Sequence, residues 1–576
     1  MRIGLLTEGG YPYVSGDARL WCDRLVRGLG QHEFDIYAFS RSERQEDGGW
    51  TPLPSQVSRV RTAPLWTVED DGPVHGRRAR RRFAEAYGEL AVALCTAPEP
   101  GSPRSAPGPA GPEADRFGSA LCALAELARD TGGLVGSLRS ETAVRALERA
   151  CRGPRALRMA RAARVPELLD VAAHIECALR PLSLDWYEDD GLGSVDLCHA
   201  TTGGAAALAG LLAGYFNGVP LLVTEYGVQL RAHYLQAPDG APSVRALLAS
   251  LHRRLAAEVY RRAACITPGN AHARRWQERC GADRSKLRTV YPGMDASRFT
   301  DVGESADCAD PRTLVWVGRV EPSKDLISLL HAFAEIRKEE PKARLRIVGA
   351  AEGADGTVYL GHCRALAAQL FPDEAEGVHD VGDNPVSFEE IGGPEMPDLA
   401  EAYAAGAVVV LSSVVEGLPI SLVEAMFCGR ATVSTDVGAV VEVIGGTGLV
   451  VPPRNPRALA EACIALLRDP KRRERLGAAA RARALELFTV EQNVAAFHGI
   501  YLEVVSHTPV RRVLVDDAGE PLPFGTPAEA HLPGRWTEVR TTAGRPRWAS
   551  PPGGGTAPVR ATGPVKEPVP TAEGAR

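Results

Sequence analysis

Short apolar runs of strand length recur along this chain, each closed by glycine, proline or a polar loop and followed by a segment with helical spacing. No other feature limits the possible folds as strongly. The first series comprises Ile3–Leu6, Phe34–Phe39, Val195–Cys198, Leu221–Thr224, Cys265–Thr267 and Leu287–Tyr291. An Asp-rich polar stretch near 300–311 interrupts it, and a second series follows: Thr313–Val317, Ala343–Val348, Val408–Leu411, Thr432–Ser434 and Leu449–Val451. Strands alternating with helices predict parallel sheets covered on both faces. Two such series predict an α/β protein of two facing, Rossmann-like, doubly wound domains.

The expected boundaries are a first domain over 1–303, a second over 304–487, a helix over 488–505 and a tail over 506–576. Within the first domain, 75–170 reads as a helix-rich insertion, and 96–115 inside it has the composition of a flexible linker. The tail holds 12 of the 43 prolines and few apolar clusters. It is expected to stay disordered, because it cannot bury enough surface to offset its ordering entropy.

Composition narrows the classes. A net charge of −6 argues against a nucleic-acid partner, which would call for a basic surface. The 12 cysteines contain no C-x-x-C pair, which points to reduced thiols in a cytoplasmic protein and to no metal site. The N-terminus turns to glycine too early for a signal peptide. Residues 203–223 are uncharged and about as long as a membrane span. Asn217-Gly218-Val219-Pro220 is a turn signal, however, so the segment reads as a buried helix, a turn and a strand. Arg77–Arg82 reads as a solvated helix start. Arg149, Arg152, Arg155, Arg158 and Arg161 recur every third residue but are interrupted by Gly153-Pro154. A basic face there would allow peripheral contact with the inner face of a membrane and its synthesis machinery.

The densest chemistry lies in S-S-V-V-E-G-L-P-I-S-L-V-E-A-M-F-C-G-R, residues 412–430, directly after the apolar run Val408–Leu411. Gly417, Leu418 and Pro419 shape a tight loop opening the helix Ile420–Cys428. Its free N–H groups and positive dipole end suit a diphosphate. Glu416 in the loop and Glu424 one turn into the helix could accept hydrogen bonds from sugar and ribose hydroxyls. The same residues could equally form a capped helix carrying two solvated glutamates. A second strand-to-helix junction, G-R-V-E-P-S-K-D at 318–325, supplies Arg319 and Lys324, which could reach one diphosphate or be neutralised by Glu321 and Asp325.

These elements, with D-V-G-A-V-V-E-V-I-G-G-T-G-L-V-V-P-P-R-N-P at 436–456, resemble the family-four glycosyltransferases of the GT-B fold in order and spacing: G-R-x-x-x-x-K, E-x(7)-E, then a glycine loop ending in V-P-P. The likeness covers about 310–505, and F-T-V-E-Q-N-V-A-A-F-H-G-I-Y at 488–501 resembles the family's last helix, which crosses back to the first domain. It implies a retaining, metal-independent transferase with no cofactor, acting on a nucleotide-sugar donor and a glycan or small hydroxyl acceptor. Arg319 and Lys324 would hold the diphosphate, Glu424 the ribose and Glu416 the sugar. In the first half, T-E-G-G-Y-P-Y-V-S-G-D (7–17), V-D-L-C-H-A-T-T-G-G (195–204), L-L-V-T-E-Y-G-V (221–228) and I-T-P-G-N-A-H-A-R-R-W-Q (266–277) resemble the PelF-type exopolysaccharide branch, which uses UDP-sugars.

Two positions depart from that pattern. The family's glycine pair in the first loop is Gly16-Asp17 here, which would put a carboxylate near the diphosphate. The branch's T-E-H-G is Thr224-Glu225-Tyr226-Gly227, and tyrosine, with a pKa near 10, shuttles protons poorly at neutral pH. Asp17, His199 and Glu225 are the acceptor-side candidates, with a structural role for His199 left open. Tyr226 joins Glu416, Arg319 and Lys324 as the catalytic set. Three alternatives follow: a nucleotide-sugar epimerase, a glycan phosphorylase, or a non-catalytic nucleotide-sugar-binding subunit of a polymer-synthesis complex. A dinucleotide oxidoreductase is disfavoured, since the first loop lacks G-x-G-x-x-G.

Overall fold

The computed structural model of the protein describes residues 1–16, 18–67, 75–96, 112–235, 240–305, 308–372, 384–392 and 398–510. The core of the linker-like stretch (97–111) and the tail from 511 onward lie outside them. Among the described residues, β1 (Arg2–Glu8), β2 (Glu33–Ser40), β3 (Val57–Pro64), β4 (Leu197–Ala200), β5 (Leu221–Glu225) and β6 (Cys265–Pro268) form one sheet in the order β3-β2-β1-β4-β5-β6. A second sheet holds β7 (Asp310–Val317), β8 (Arg344–Val348), β9 (Val386–Glu389), β10 (Gly406–Leu411), β11 (Ala431–Thr435) and β12 (Leu449–Val451), ordered β12-β11-β10-β7-β8-β9. All pairings are parallel. The central strand β10, with its run Gly-Ala-Val-Val-Val-Leu, is buried throughout, as helices on both faces require.

Both sheets reverse direction at their centre, between β1 and β4 and between β7 and β10. At such a point the crossovers leave toward opposite faces, opening a crevice at the carboxyl ends of the two strands.

Three expectations about strands need correction. Leu287–Tyr291 runs beside β6, with the Arg288 and Val290 amides donating to the Ile266 and Pro268 carbonyls (2.9 Å each). It forms only an isolated bridge, because Pro292-Gly293 follows at once. β3 and β9 were not expected. Both are edge strands, and β3 intersperses Arg59 and Arg61 among its apolar residues, so neither carries a continuous apolar run. The Val195–Cys198 run is displaced, its strand being Leu197–Ala200.

Among the described residues, six α-helices lie between β3 and β4, from Arg77–Cys95 to Val165–Leu179, and pack around Phe83, Tyr87, Leu121, Leu124 and Leu147. Several arginines of this stretch are paired: Arg81 with Glu85, Arg82 with Asp130, Arg152 with Glu148 and Arg155 with Glu113. The helix Glu141–Cys151 ends before Gly153, and Arg158–Arg161 begins a separate short helix, so the five spaced arginines share no single face. The apolar segment after β4 is the helix Ala205–Asn217, buried from Ala205 to Ala213. Gly218 closes it with φ 70°, and the chain enters β5. No helix among the described residues is long and apolar enough to cross a membrane.

The last described helix, Val490–His507, returns to the first sheet. Phe497, Ile500, Tyr501, Val504 and Val505 share a buried cluster with Trp21, Leu25 and Val26 of the helix after β1. Burying each such side chain contributes about 1.5–3 kcal/mol. Trp21 Nε1 also donates to Asn493 Oδ1 (3.2 Å) and Asn493 Nδ2 to the Tyr291 carbonyl (2.6 Å). Phe497 is fully buried between Trp21 and His199. Phe497→Ala should therefore lower unfolding stability by about 3–5 kcal/mol, read as a fall in the denaturant midpoint.

Candidate active site

The crevice of the second sheet brings together two loops that are far apart in sequence. β7 ends at Val317 and β10 at Leu411, and the strands are neighbours, so 318–325 and 412–419 emerge side by side. Backbone and hydroxyl contacts lock them: Val414 N–H donates to the Ser323 carbonyl (2.9 Å) and Ser412 Oγ to the Lys324 carbonyl (2.7 Å). Thr435 Oγ1 donates to the Ser413 carbonyl (2.6 Å). Gly438 closes the floor in left-handed backbone (φ 58°), where a Cβ would stand 2.5 Å from the Glu416 carbonyl oxygen.

Within this frame Lys324 Nζ lies 2.6 Å from Glu416 Oε1, with side-chain exposures of 15% and 10%. Ser413 Oγ donates to the same oxygen at 2.7 Å. Arg319 stands apart. It is 64% exposed and only 3.8 Å from the equally exposed Glu352, a loose surface pair of small energetic weight. Gly417, Leu418 and Pro419 lead into the helix Ile420–Phe427, which has no side-chain cap at its N-terminus. Glu424 faces inward, its Oε2 accepting from Tyr403 Oη (2.7 Å), and burial raises its pKa.

The first-half candidates, Gly16 for the donor, Asp17, His199 and Glu225 for the acceptor and Tyr226 for catalysis, sit differently. Gly16 has φ 124°, and a Cβ there would overlap the Gly9 carbonyl oxygen at 2.0 Å, so only glycine fits the loop. Asp17 lies outside the described residues. His199 is fully buried, its Nδ1 2.7 Å from Tyr501 Oη and its Nε2 2.7 Å from Thr224 Oγ1. Burial pushes its pKa down to about 3, so it is a neutral strut between β4 and the last helix and has no face for an acceptor. Glu225 is also buried, held by the Tyr260 hydroxyl, the Gln229 amide (3.4 Å) and Gln277 Nε2 (3.4 Å), with its pKa raised by burial. Tyr226 packs edge-on against Trp21, ring centroids 5.3 Å apart, over Gly269, where a Cβ would come within 2.5 Å of its ring. Its hydroxyl is buried, and burial raises its pKa further. The tyrosine thus presents no proton-transferring group to the crevice.

Sequence reasoning missed four side chains. Glu8, at the tip of β1, accepts from the Ala205 amide (3.0 Å) and Thr202 Oγ1 (3.1 Å) and pairs with Arg41 (2.9 Å), so it occupies the crevice of the first sheet. Its place at a strand's carboxyl end was the available signal. Tyr403 positions Glu424. Arg231 donates from the first half to the Glu416 carbonyl (2.9 Å), and Glu442 accepts from the Ala271 amide (2.7 Å) and Tyr291 Oη (2.9 Å). These contacts are non-local and no spacing announces them.

Residues 311–469 match the family model described as glycosyl transferases group 1. Residues 1–285 match a family described as a domain of unknown function (DUF3492). A D-inositol 3-phosphate glycosyltransferase of Streptomyces bingchenggensis is 32% identical over 238 residues, covering 39% of this chain and 49% of the relative. Its counterpart in Kribbella flavida is 30% identical over 282 residues, covering 47% and 63%. The chain therefore spans about half the length of the first of these relatives and less than two thirds of the second. Among solved structures, Anabaena HepE in complex with UDP aligns with TM-score 0.51 and 15% identity, covering 87% of this chain and 99% of that one. Sucrose-phosphate synthase from Thermosynechococcus elongatus aligns with TM-score 0.51 and 16% identity, covering 88% and 99%. The fold is GT-B, as the resemblance implied, and its two sheets answer to the two strand series.

Because Lys324 and Glu416 are mostly buried, removing one partner strands the other's charge. Lys324→Ala should cost about 3 kcal/mol. The double variant with Glu416→Ala should lose less than the sum of the two single losses, a non-additivity readable in a double-mutant cycle of denaturation.

Proposed function

We propose that the protein is a retaining, metal-independent glycosyltransferase that moves a sugar from a UDP-sugar to a hydroxyl of a glycan acceptor in polysaccharide synthesis. The observation that carries this reading is the Lys324–Glu416 pair at the central crevice of the second sheet, beside the uncapped N-terminus of Ile420–Phe427. Lys324 and that helix end offer positive charge where a departing nucleotide diphosphate would gather negative charge, and the exposed Arg319 can swing in as a bidentate clamp. Because loop and crossover hold these groups before substrate arrives, little reorganisation is needed as charge develops. Glu416 would orient a hydroxyl of the transferred sugar while sharing Lys324 with the diphosphate. Glu424, held by Tyr403, would accept from the ribose. The UDP preference rests on the PelF-type resemblance and on the nucleotide bound in HepE.

The buried Tyr226 hydroxyl favours a second reading, a subunit that binds nucleotide sugar without turning it over. One experiment separates the two. Purified protein is incubated with UDP-, GDP- and ADP-sugars, and nucleotide release and calorimetric binding are measured. Release supports the transferase, binding without release supports the subunit, and neither for any donor refutes both. Within the transferase reading, Glu424→Ala should weaken donor binding about tenfold, in line with losing a charge-assisted hydrogen bond. Glu416→Ala should chiefly lower turnover. Wild-type behaviour of both variants would contradict the site assignment.

A further inference from the structure

Arg231 sits on the short helix Gln229–Leu235 that follows β5. Leu230 is buried beneath it, which leaves Arg231 directed across to the second half. There its guanidinium, partly desolvated, donates one hydrogen bond to the Glu416 main-chain carbonyl (2.9 Å). A guanidinium carries five N–H donors. Among the described residues no carboxylate lies within ion-pair distance of it; the Glu416 charge acts on it from farther off, and the nearby acids already have partners of their own. The Glu416 carboxylate is held by Lys324 and Ser413, and Glu442 by the Ala271 amide and Tyr291. A cation removed from water without a counter-ion is costly unless something else supplies the charge.

A second group has the same deficit. His272, in the first turn of the helix Ala271–Arg279, has a buried Nε2 with no hydrogen-bond partner among the described residues. Burial, helped by the charges of Arg231, Arg275 and Arg279, pushes its pKa down. Arg274 of the same helix is neutralised by Glu278, and Arg279 lies over the Trp276 ring. Among the described residues, the guanidinium has one acceptor for its five N–H donors and the buried imidazole Nε2 has none.

We propose that Arg231 and His272 form an oxyanion subsite on the first-sheet side of the crevice, which takes a phosphate group of a bound substrate. A phosphate's oxygens match the guanidinium fork and leave one for the imidazole N–H. The phosphate could belong to the donor diphosphate or to a phosphorylated acceptor. The chemistry is common to both, and it rests on the reading of the Lys324–Glu416 crevice as the donor site.

The test uses the full chain and calorimetry. Wild type is first titrated with UDP, GDP and ADP; if none binds, the donor-site reading itself fails. With the nucleotide that binds, Arg231→Ala is compared with wild type for the nucleoside diphosphate, for its nucleoside, and for inorganic phosphate added to protein saturated with nucleotide. A loss of about tenfold or more in diphosphate affinity, with nucleoside affinity unchanged, assigns the subsite to the donor. The same loss confined to inorganic phosphate assigns it to the acceptor. Arg231→Lys, which keeps the charge without the fork, should fall between, and it serves as the reporter if the alanine variant does not fold. Unchanged affinity for both ligands in a folded variant overturns the proposal and leaves Arg231 as a prop for the Glu416 carbonyl.

Discussion

A parallel sheet can be closed only by crossovers, and when its strand order reverses at the centre the two middle strands must send their chains to opposite faces. In this protein that constraint acts twice, between β1 and β4 and between β7 and β10. The second instance sets the chemistry. It places the loop carrying Lys324 against the loop carrying Glu416, although 92 residues separate them. Ser412, Val414 and Thr435 then fix the two loops to each other and to the neighbouring strand. The pair is consequently built into the sheet and does not depend on a flexible segment finding its place, as a preorganised electrostatic site requires.

The first sheet uses its own crevice differently. Glu8 caps the helix Ala205–Asn217, and His199, Thr224 and Thr267 form a buried hydrogen-bonded line ending at Tyr501 of the last helix. Those polar groups hold the returning helix against β4 and β5. The consequence for function is that His199 and Glu225 are committed to structure, while Arg231, which lies in no quoted motif, reaches the second half.

How much of this was legible follows from which signals are local. Central strands bury both faces and read as apolar runs, so β1, β7 and β10 were recognisable. The edge strands β3 and β9 are half solvated and were not. Glycine loops and capped helix starts are local too, which is why Gly16, Gly417 and the residues around Glu416 stood out. Partnership is not local. That Lys324 pairs with Glu416 while Arg319 stays in solvent, that Tyr403 holds Glu424, and that Arg231 reaches the Glu416 carbonyl depend on strand order, which no window of sequence contains. The status of His199 could not be settled from sequence either, because its two partners come from residues 25 and 302 positions away.

The central claim is that the nucleotide diphosphate binds where the ends of β7 and β10 meet. Amide hydrogen exchange of the full chain with and without a saturating nucleotide-sugar tests it directly. The account predicts slowed exchange confined chiefly to 318–325 and 412–424, where loop amides and the first turn of Ile420–Phe427 would meet the phosphates. Unchanged exchange in both stretches, with protection appearing elsewhere, would contradict it.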